Sequence, residues 1–270
     1  MTGVLGLRPF QWIVIVAALL TLLVMVESWV GHYRSGFPLR AQYAPLAGGA
    51  ALIISCVLAA AAPEANWAQR GLRTTGWIAV VLGVVGVGYH HYYGIVEKAG
   101  GYRWLLHYLM YGAPQLAPLA LSTAGALAAV AASGLAGDST LAGVDLSRLL
   151  LGIVALALTG AIAQTGILHY RGAFNTPVMY LPLVLPPLSA LGAAWLALNP
   201  SAGIAAVVRG LLWATFLLGF IGLGMHLRGI DRQMGGLHVF IFNVLQGPPA
   251  LAPAAYAALA AIGILALGAG

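Results

Sequence analysis

The distribution of apolar residues along the chain constrains its fold more than any other feature of the sequence. Eight apolar runs with few charges alternate with shorter polar connections. Each run is about 20 residues long, which is the length that a helix needs to cross the hydrocarbon core of a bilayer. The predicted spans cover residues 10–31, 44–62, 74–93, 113–136, 148–169, 178–198, 206–227 and 248–268.

The overall composition agrees with a membrane protein. Of the 270 residues, 61% are hydrophobic and only 7% are charged, and the mean hydropathy is +0.94. In soluble domains, about a quarter of the residues are charged. The net charge of +6 comes mostly from arginines at the ends of the apolar runs. This pattern is typical of anchoring in a lipid bilayer, so the bilayer is an expected partner and nucleic acid is not.

A repeated motif divides the chain into two halves. His32-Tyr33-Arg34 ends the first apolar run, and the same three residues return as His169-Tyr170-Arg171 at the end of the fifth. The flanks recur in the same register, 137 residues apart: Glu27 with Gln164, Phe37 with Phe174, Tyr43 with Tyr180, and Pro45 with Pro182. The first run is therefore expected to remain in the protein, because its duplicate lies mid-chain where no signal peptide acts.

A second set of residues repeats with an offset of 135. It pairs His91 with His226, Gly94 with Gly229, Gly100-Gly101 with Gly235-Gly236, Pro114 with Pro249, and Pro118 with Pro253. The sequence therefore predicts a tandem duplication, with residues 1–138 and 139–270 each forming four spans. Since each repeat has an even number of spans, the two halves are expected to be parallel and related by a pseudo-twofold axis along the membrane normal.

Four of the histidines are expected on one face of the membrane. His32, His91, His169 and His226 each close an odd-numbered span, so all four emerge on the side that we call the histidine face. The loops 94–112 and 229–247 on this side contain amphipathic runs, which predict short helices at the membrane interface. Ten of the eleven tyrosines lie at or near the same face.

Several chemistries suit these histidines. They can cap helix carbonyls, they can ligate a metal or haem, and they can bind a quinone or an anionic lipid headgroup through hydrogen bonds. The nearby arginines would repel a bare divalent ion but can pair with haem propionates. The predicted metal ligands are His32, His91, His169 and His226, with His32 and His169 acting as one pair and His91 and His226 as the other. The remaining predicted cofactor-binding residues are Arg34, Arg171, Arg228, Tyr33, Tyr170, Glu27 and Gln164.

The sequence contains no familiar catalytic motif. His-Glu-x-x-His, Gly-x-Ser-x-Gly and glycine-rich phosphate loops are absent, so no catalytic residue is assigned. In the number of spans and in its two four-helix halves, the predicted architecture resembles the quinone-reactive membrane subunits of the polysulfide-reductase type. We expect a membrane subunit of an electron-transfer complex that uses haem b or quinone and binds other subunits. A transporter of a small solute and a membrane metalloenzyme are the alternatives.

The positive residues predict the orientation. Seven Lys and Arg residues lie on the histidine face and five on the opposite face, but three of the seven belong to the repeated motifs. Without these three, the count is four against five, which favours cytoplasmic termini and a periplasmic histidine face in a bacterial inner membrane.

Overall fold

The computed structural model describes residues 6–268, and this range forms ten α-helices and one short β-hairpin. Before the hairpin lie α1 (Pro9–Arg34), α2 (Ala44–Ala61), α3 (Asn66–His91), α4 (Leu105–Tyr111) and α5 (Leu119–Leu135). The hairpin pairs β1 (Thr140–Leu141) with β2 (Val144–Asp145) in antiparallel fashion. After it lie α6 (Leu146–Arg171), α7 (Leu185–Leu198), α8 (Ala202–Asp231), α9 (Phe240–Gln246) and α10 (Ala252–Ala266). The all-α class is confirmed.

Within the described range, six helical segments are long and apolar enough to cross a membrane. They are Pro9–Arg34, Arg40–Ala61, Asn66–Val96, Leu146–Arg171, Pro177–Leu198 and Ala202–Asp231. In the apolar 18-residue stretch of each segment, no more than 33% is buried within the protein. Large apolar side chains therefore face outwards along most of their length, as expected for helices that contact lipid. The chain is an integral membrane protein by this criterion.

The helices α5 and α10 are shorter than the spans predicted at 113–136 and 248–268. They begin at Leu119 and Ala252 because the preceding segments are rich in proline, which lacks a backbone N–H and keeps the residue before it out of helical conformation. With 17 and 15 residues, they fall below the length of the other six segments. The crossing of the membrane by α5 and α10 stays a prediction.

The helices α5 and α10 lie in the interior of the protein. In the half before the hairpin, α1 and α3 each pack against α2 and α5, and in the half after it, α6 and α8 each pack against α7 and α10. The approach of α3 to α5 requires glycine, since a Cβ at Gly76 would lie 2.7 Å from the carbonyl oxygen of Gly125. Small residues of this kind allow membrane helices to pack closely. The two halves meet where α1 contacts α10 and where α5 contacts α6.

The two ends of the helices differ in their polar contacts. At the end that carries the hairpin, Arg8 forms an ion pair with Glu64 at 2.9 Å, and Gln11 donates to the Ala60 carbonyl at 3.1 Å. At the matching position of the second half, Arg148 donates to the Ala197 carbonyl at 2.7 Å. The opposite end carries the repeated histidines and the short helices α4 and α9.

Candidate functional site

The chain reverses direction in the same way after each His-Tyr-Arg motif. Phe37 and Phe174 both adopt positive φ angles, of 49° and 46°. Their backbone N–H groups donate to the carbonyls of His32 and His169 at 3.1 and 3.0 Å, which closes the helix end. Each phenylalanine ring then packs edge-on against its own histidine, with ring centroids 5.9 and 6.2 Å apart. The repeated motif therefore builds two similar histidine environments.

A second aromatic ring completes each environment. Phe37 stacks on Tyr43 with centroids 4.6 Å apart, and Phe174 stacks on Tyr180 with centroids 4.4 Å apart. Stacked aromatic pairs of this kind hold each other in a fixed orientation. The repeated Phe and Tyr residues are thus supports for the histidines, a role that their spacing in the sequence did not reveal.

Hydrogen bonds at Nδ1 hold the rings of His32 and His169. His169 Nδ1 lies 2.7 Å from the Met179 carbonyl oxygen. His32 Nδ1 instead lies 3.4 Å from Ser28 Oγ. A carbonyl oxygen only accepts, so the Nδ1 atom of His169 is the donor in its contact. In an uncharged imidazole with its proton at Nδ1, the lone pair is at Nε2.

The same arrangement occurs at the ends of α3 and α8, but with His90 instead of His91. His90 Nδ1 lies 2.9 Å from the Pro114 carbonyl oxygen, and His226 Nδ1 lies 2.7 Å from the Pro249 carbonyl oxygen. His91 instead places its Nε2 2.6 Å from the Tyr102 hydroxyl. The pairing of His91 with His226 expected from the sequence is therefore corrected: the counterpart of His226 is His90.

A π-helix explains this correction. Residues Tyr92–Val96 form a π-helix directly after α3, whereas α8 continues as a regular α-helix to Asp231. A π-bulge accommodates one extra residue in a helix. The offset between the halves is therefore 136 before the π-helix, as for Gly86 and Gly222, and 135 after it, as for Gly100 and Gly235.

The two histidine rings that are seen to lie close together belong to one half of the chain. The rings of His32 and His90 lie with centroids 6.3 Å apart and planes at 68°. In the second half, His169 and His226 occupy the positions of His32 and His90, and their Nδ1 atoms contact the Met179 and Pro249 carbonyl oxygens. We call these two sets the histidine pairs. Within residues 6–268, no three His, Cys, Asp or Glu side chains are grouped so that they could hold a metal ion. The ring that lies beside His32 is therefore His90, and not His169 as the predicted pairing had it.

The Arg34 guanidinium has backbone partners. It donates to the carbonyl of Leu245, and to those of Val244 at 3.0 Å and Gly247 at 2.8 Å, at the C-terminal end of α9. Its counterpart Arg171 lies over the Tyr111 ring at the end of α4, 5.9 Å from the centroid. A positive charge suits a helix C-terminus. These two arginines therefore attach the histidine motif of one half to the short helix of the other.

Arg228 has a different environment. It is exposed, has no hydrogen-bond partner among the described residues, and lines an open groove of about 580 Å³. The other lining residues are Leu227, Asp231, Leu237 and Phe240. Of the three predicted arginines, Arg228 is the one that lines this groove.

The other predicted residues lie outside the histidine pairs. Glu27 Oε1 accepts from the Leu251 backbone N–H at 2.7 Å, so it caps the start of α10. Tyr33 and Tyr170 are exposed, and Tyr33 stacks on Trp29 with centroids 5.2 Å apart. Gln164 is half-buried. Their predicted role in cofactor binding stays a prediction.

No protein-family model matches this chain, and neither the curated proteins nor the solved structures include a match. The arrangement of the histidine pairs is therefore interpreted from their geometry.

Proposed function

We propose that this chain is an integral membrane subunit of an electron-transfer oxidoreductase, and that electrons pass near its two histidine pairs to or from quinone or haem. One observation carries the proposal: at one end of the membrane helices, four imidazoles occupy matched positions in the two halves, and backbone carbonyls hold Nδ1 of three of them. A lone pair at Nε2 can ligate haem iron or accept the hydroxyl proton of a quinol.

The proposal includes eight spans in two tandem four-helix halves. Matched contacts support the duplication, because a Cβ at Gly86 would lie 2.8 Å from Pro118 and a Cβ at Gly222 would lie at the same distance from Pro253. A helix of 17 residues is about 26 Å long, close to the thickness of the hydrocarbon core. The turn that precedes α5 would supply the remaining length.

A topology experiment tests the eight spans. Single cysteines at the exposed residues 66 and 98, in a chain whose Cys56 is replaced by Ser, are labelled in intact cells with a membrane-impermeant reagent. We expect label at 98 and none at 66, since the histidine face would be periplasmic. Labelling of both positions from one side contradicts the eight-span topology, and label at 66 alone reverses the orientation.

The histidine face also offers a surface for a redox partner and other subunits. Tyr43, Tyr102 and Tyr180 are each more than half exposed there, and Lys98 and Arg103 lie beside Tyr102 in the sequence. Tyrosine and arginine are enriched in protein interfaces, and tyrosine, lysine and arginine are frequent near lipid headgroups. Within residues 6–268, few residues lie outside the helices.

The absorption spectrum of the protein purified from its native membrane tests the function. A Soret band with bis-imidazole features, or quinone in an organic extract, is expected together with co-purifying subunits and quinol oxidation in liposomes. A single chain that carries neither cofactor and that instead gives solute-dependent flux in liposomes would replace this proposal with a transporter.

A further inference from the structure

We infer that each half of the chain holds its own metal centre between its two imidazoles, His32 with His90 and His169 with His226. The chain would then carry two like centres, and neither would be shared between the halves. This inference rests on the proposed electron-transfer function and specifies which ligands each centre uses.

The distance between the rings fits one metal centre. An imidazole nitrogen binds a metal at about 2.0 Å, so two rings on opposite sides of one ion have centroids roughly 6 Å apart. The observed distance between the His32 and His90 centroids is 6.3 Å. The two rings come from α1 and α3, which lie diagonally across the first half with α2 and α5 between them. The pair therefore joins two helices that lie on opposite sides of that half.

The hydrogen bonds at Nδ1 prepare the rings for ligation. A metal-bound histidine usually donates its second ring N–H to a carbonyl or carboxylate, which fixes the ring and makes the other nitrogen more basic. His90, His169 and His226 make this contact with Pro114, Met179 and Pro249. Their Nε2 atoms have no hydrogen-bond partner among the described residues. His91 does not fit the same role, because its Nε2 contacts the Tyr102 hydroxyl.

The donor set limits the kind of metal. Two neutral imidazoles supply no negative charge, Glu27 is occupied at the start of α10, and Arg34 follows His32 by two residues. A bare divalent ion prefers about four protein ligands with some negative charge. Two imidazoles would suffice for a centre that takes only two nitrogens from the protein. Two kinds of centre meet this condition: haem iron, which would bring four nitrogens of its porphyrin, and a monovalent copper ion.

Substitution with asparagine separates ligation from folding. The Asn side-chain amide can still donate to the carbonyl that Nδ1 contacts, but it has no atom in the place of Nε2. The full chain is produced in membranes with haem supply or with copper under reducing conditions, and the iron or copper bound per purified chain is measured with the visible spectrum. His91→Asn and His107→Asn are the controls, since both lie on the same face outside the pairs.

Double variants show which histidines share a centre. We expect wild type to bind two metal ions per chain, and His32→Asn, His90→Asn and the double variant of this pair each to bind half as much. His32→Asn combined with His169→Asn should bind none. If this cross-half variant keeps half of the metal, the centres are shared between the halves, and the inference is wrong. A Soret band identifies haem, and copper without that band identifies the bare ion.

The inference and the proposed function fail in different ways. Two metal centres without quinol oxidation would leave the inference intact and remove the electron-transfer function. Quinol oxidation by a chain that binds neither iron nor copper would support the electron-transfer function and overturn the inference. Loss of metal from the His91→Asn control, with retention by His90→Asn, would also overturn the assignment.

Discussion

The side chain of Arg34 contacts residues that lie far away from it in the sequence. Its guanidinium donates to carbonyls of residues 244, 245 and 247, which lie 210 to 213 positions later in the chain. The last carbonyls of a helix have no partner within the helix, so α9 gains both hydrogen bonds and a favourable charge at its C-terminus. Arg34 is in this sense a structural residue of the second half.

Replacement of Arg34 tests this structural role. Arg34→Ala should lower the free energy of unfolding by about 1–2 kcal/mol, because hydrogen bonds from a charged group to carbonyls are lost. Thermal unfolding of the protein in detergent measures the change. Arg228→Ala is the matched control and should change the stability by less than about 0.5 kcal/mol, as is usual for an exposed side chain without partners. Equal effects of the two substitutions would show that the contacts of Arg34 with α9 add no stability.

Among the described secondary-structure elements, the π-helix Tyr92–Val96 of the first half has no counterpart in the second half. It changes which of two adjacent histidines faces Pro114, and it places His91 against Tyr102. The second half has Leu227 and Leu237 in the places of these two residues, beside the open groove at Arg228. A contact between a histidine and a tyrosine on one side thus corresponds to an apolar groove on the other.

Deletion of one residue tests the effect of the π-helix. Removal of Tyr93 should convert the π-helix into a regular α-helix like α8, keep His90 in place, and leave the protein folded. Removal of Val87, three residues before His90, should move His91 into the position of His90 against Pro114 and separate Tyr89 from the ring of Tyr93, so less folded protein should accumulate. Size-exclusion chromatography in detergent compares the two variants. Aggregation of both would mean that the extra residue is needed for the first half to fold.

The sequence predicted the six long helices, the short helices α4 and α9, and the repeated histidine motif. These features follow from apolar runs, glycines and residue identities that are visible in the chain. It did not predict that His90 is the counterpart of His226, because a π-helix with one extra residue depends on tertiary packing. The sequence also did not indicate that the backbone carbonyls of Pro114, Met179 and Pro249 contact the histidines, since every residue type has a backbone carbonyl.

At the scale of the whole molecule, the two halves are joined by more than the hairpin. α1 packs against α10 and α5 packs against α6. At the histidine end, Glu27 caps α10 and Arg34 donates to the end of α9. These two residues belong to α1, so α1 binds elements of the other half through both of them. The hairpin itself turns through Ala142 and Gly143, both with positive φ, and it lies at the opposite end of the helices.

Cleavage of the hairpin therefore should not separate the halves. A protease site inserted between Ala142 and Gly143 would be cut in detergent, and an affinity tag on the first half should still retain the second half, with unchanged elution on size exclusion. The pair Glu27→Ala and Arg34→Ala should weaken this retention after cleavage, because the polar contacts between the halves are lost while the apolar contacts remain. Arg228→Ala, cut in the same way, serves as the control and should retain both halves. Separation of the cut wild-type protein would show that the covalent connection, and not the contacts of α1 and α6, keeps the two halves together.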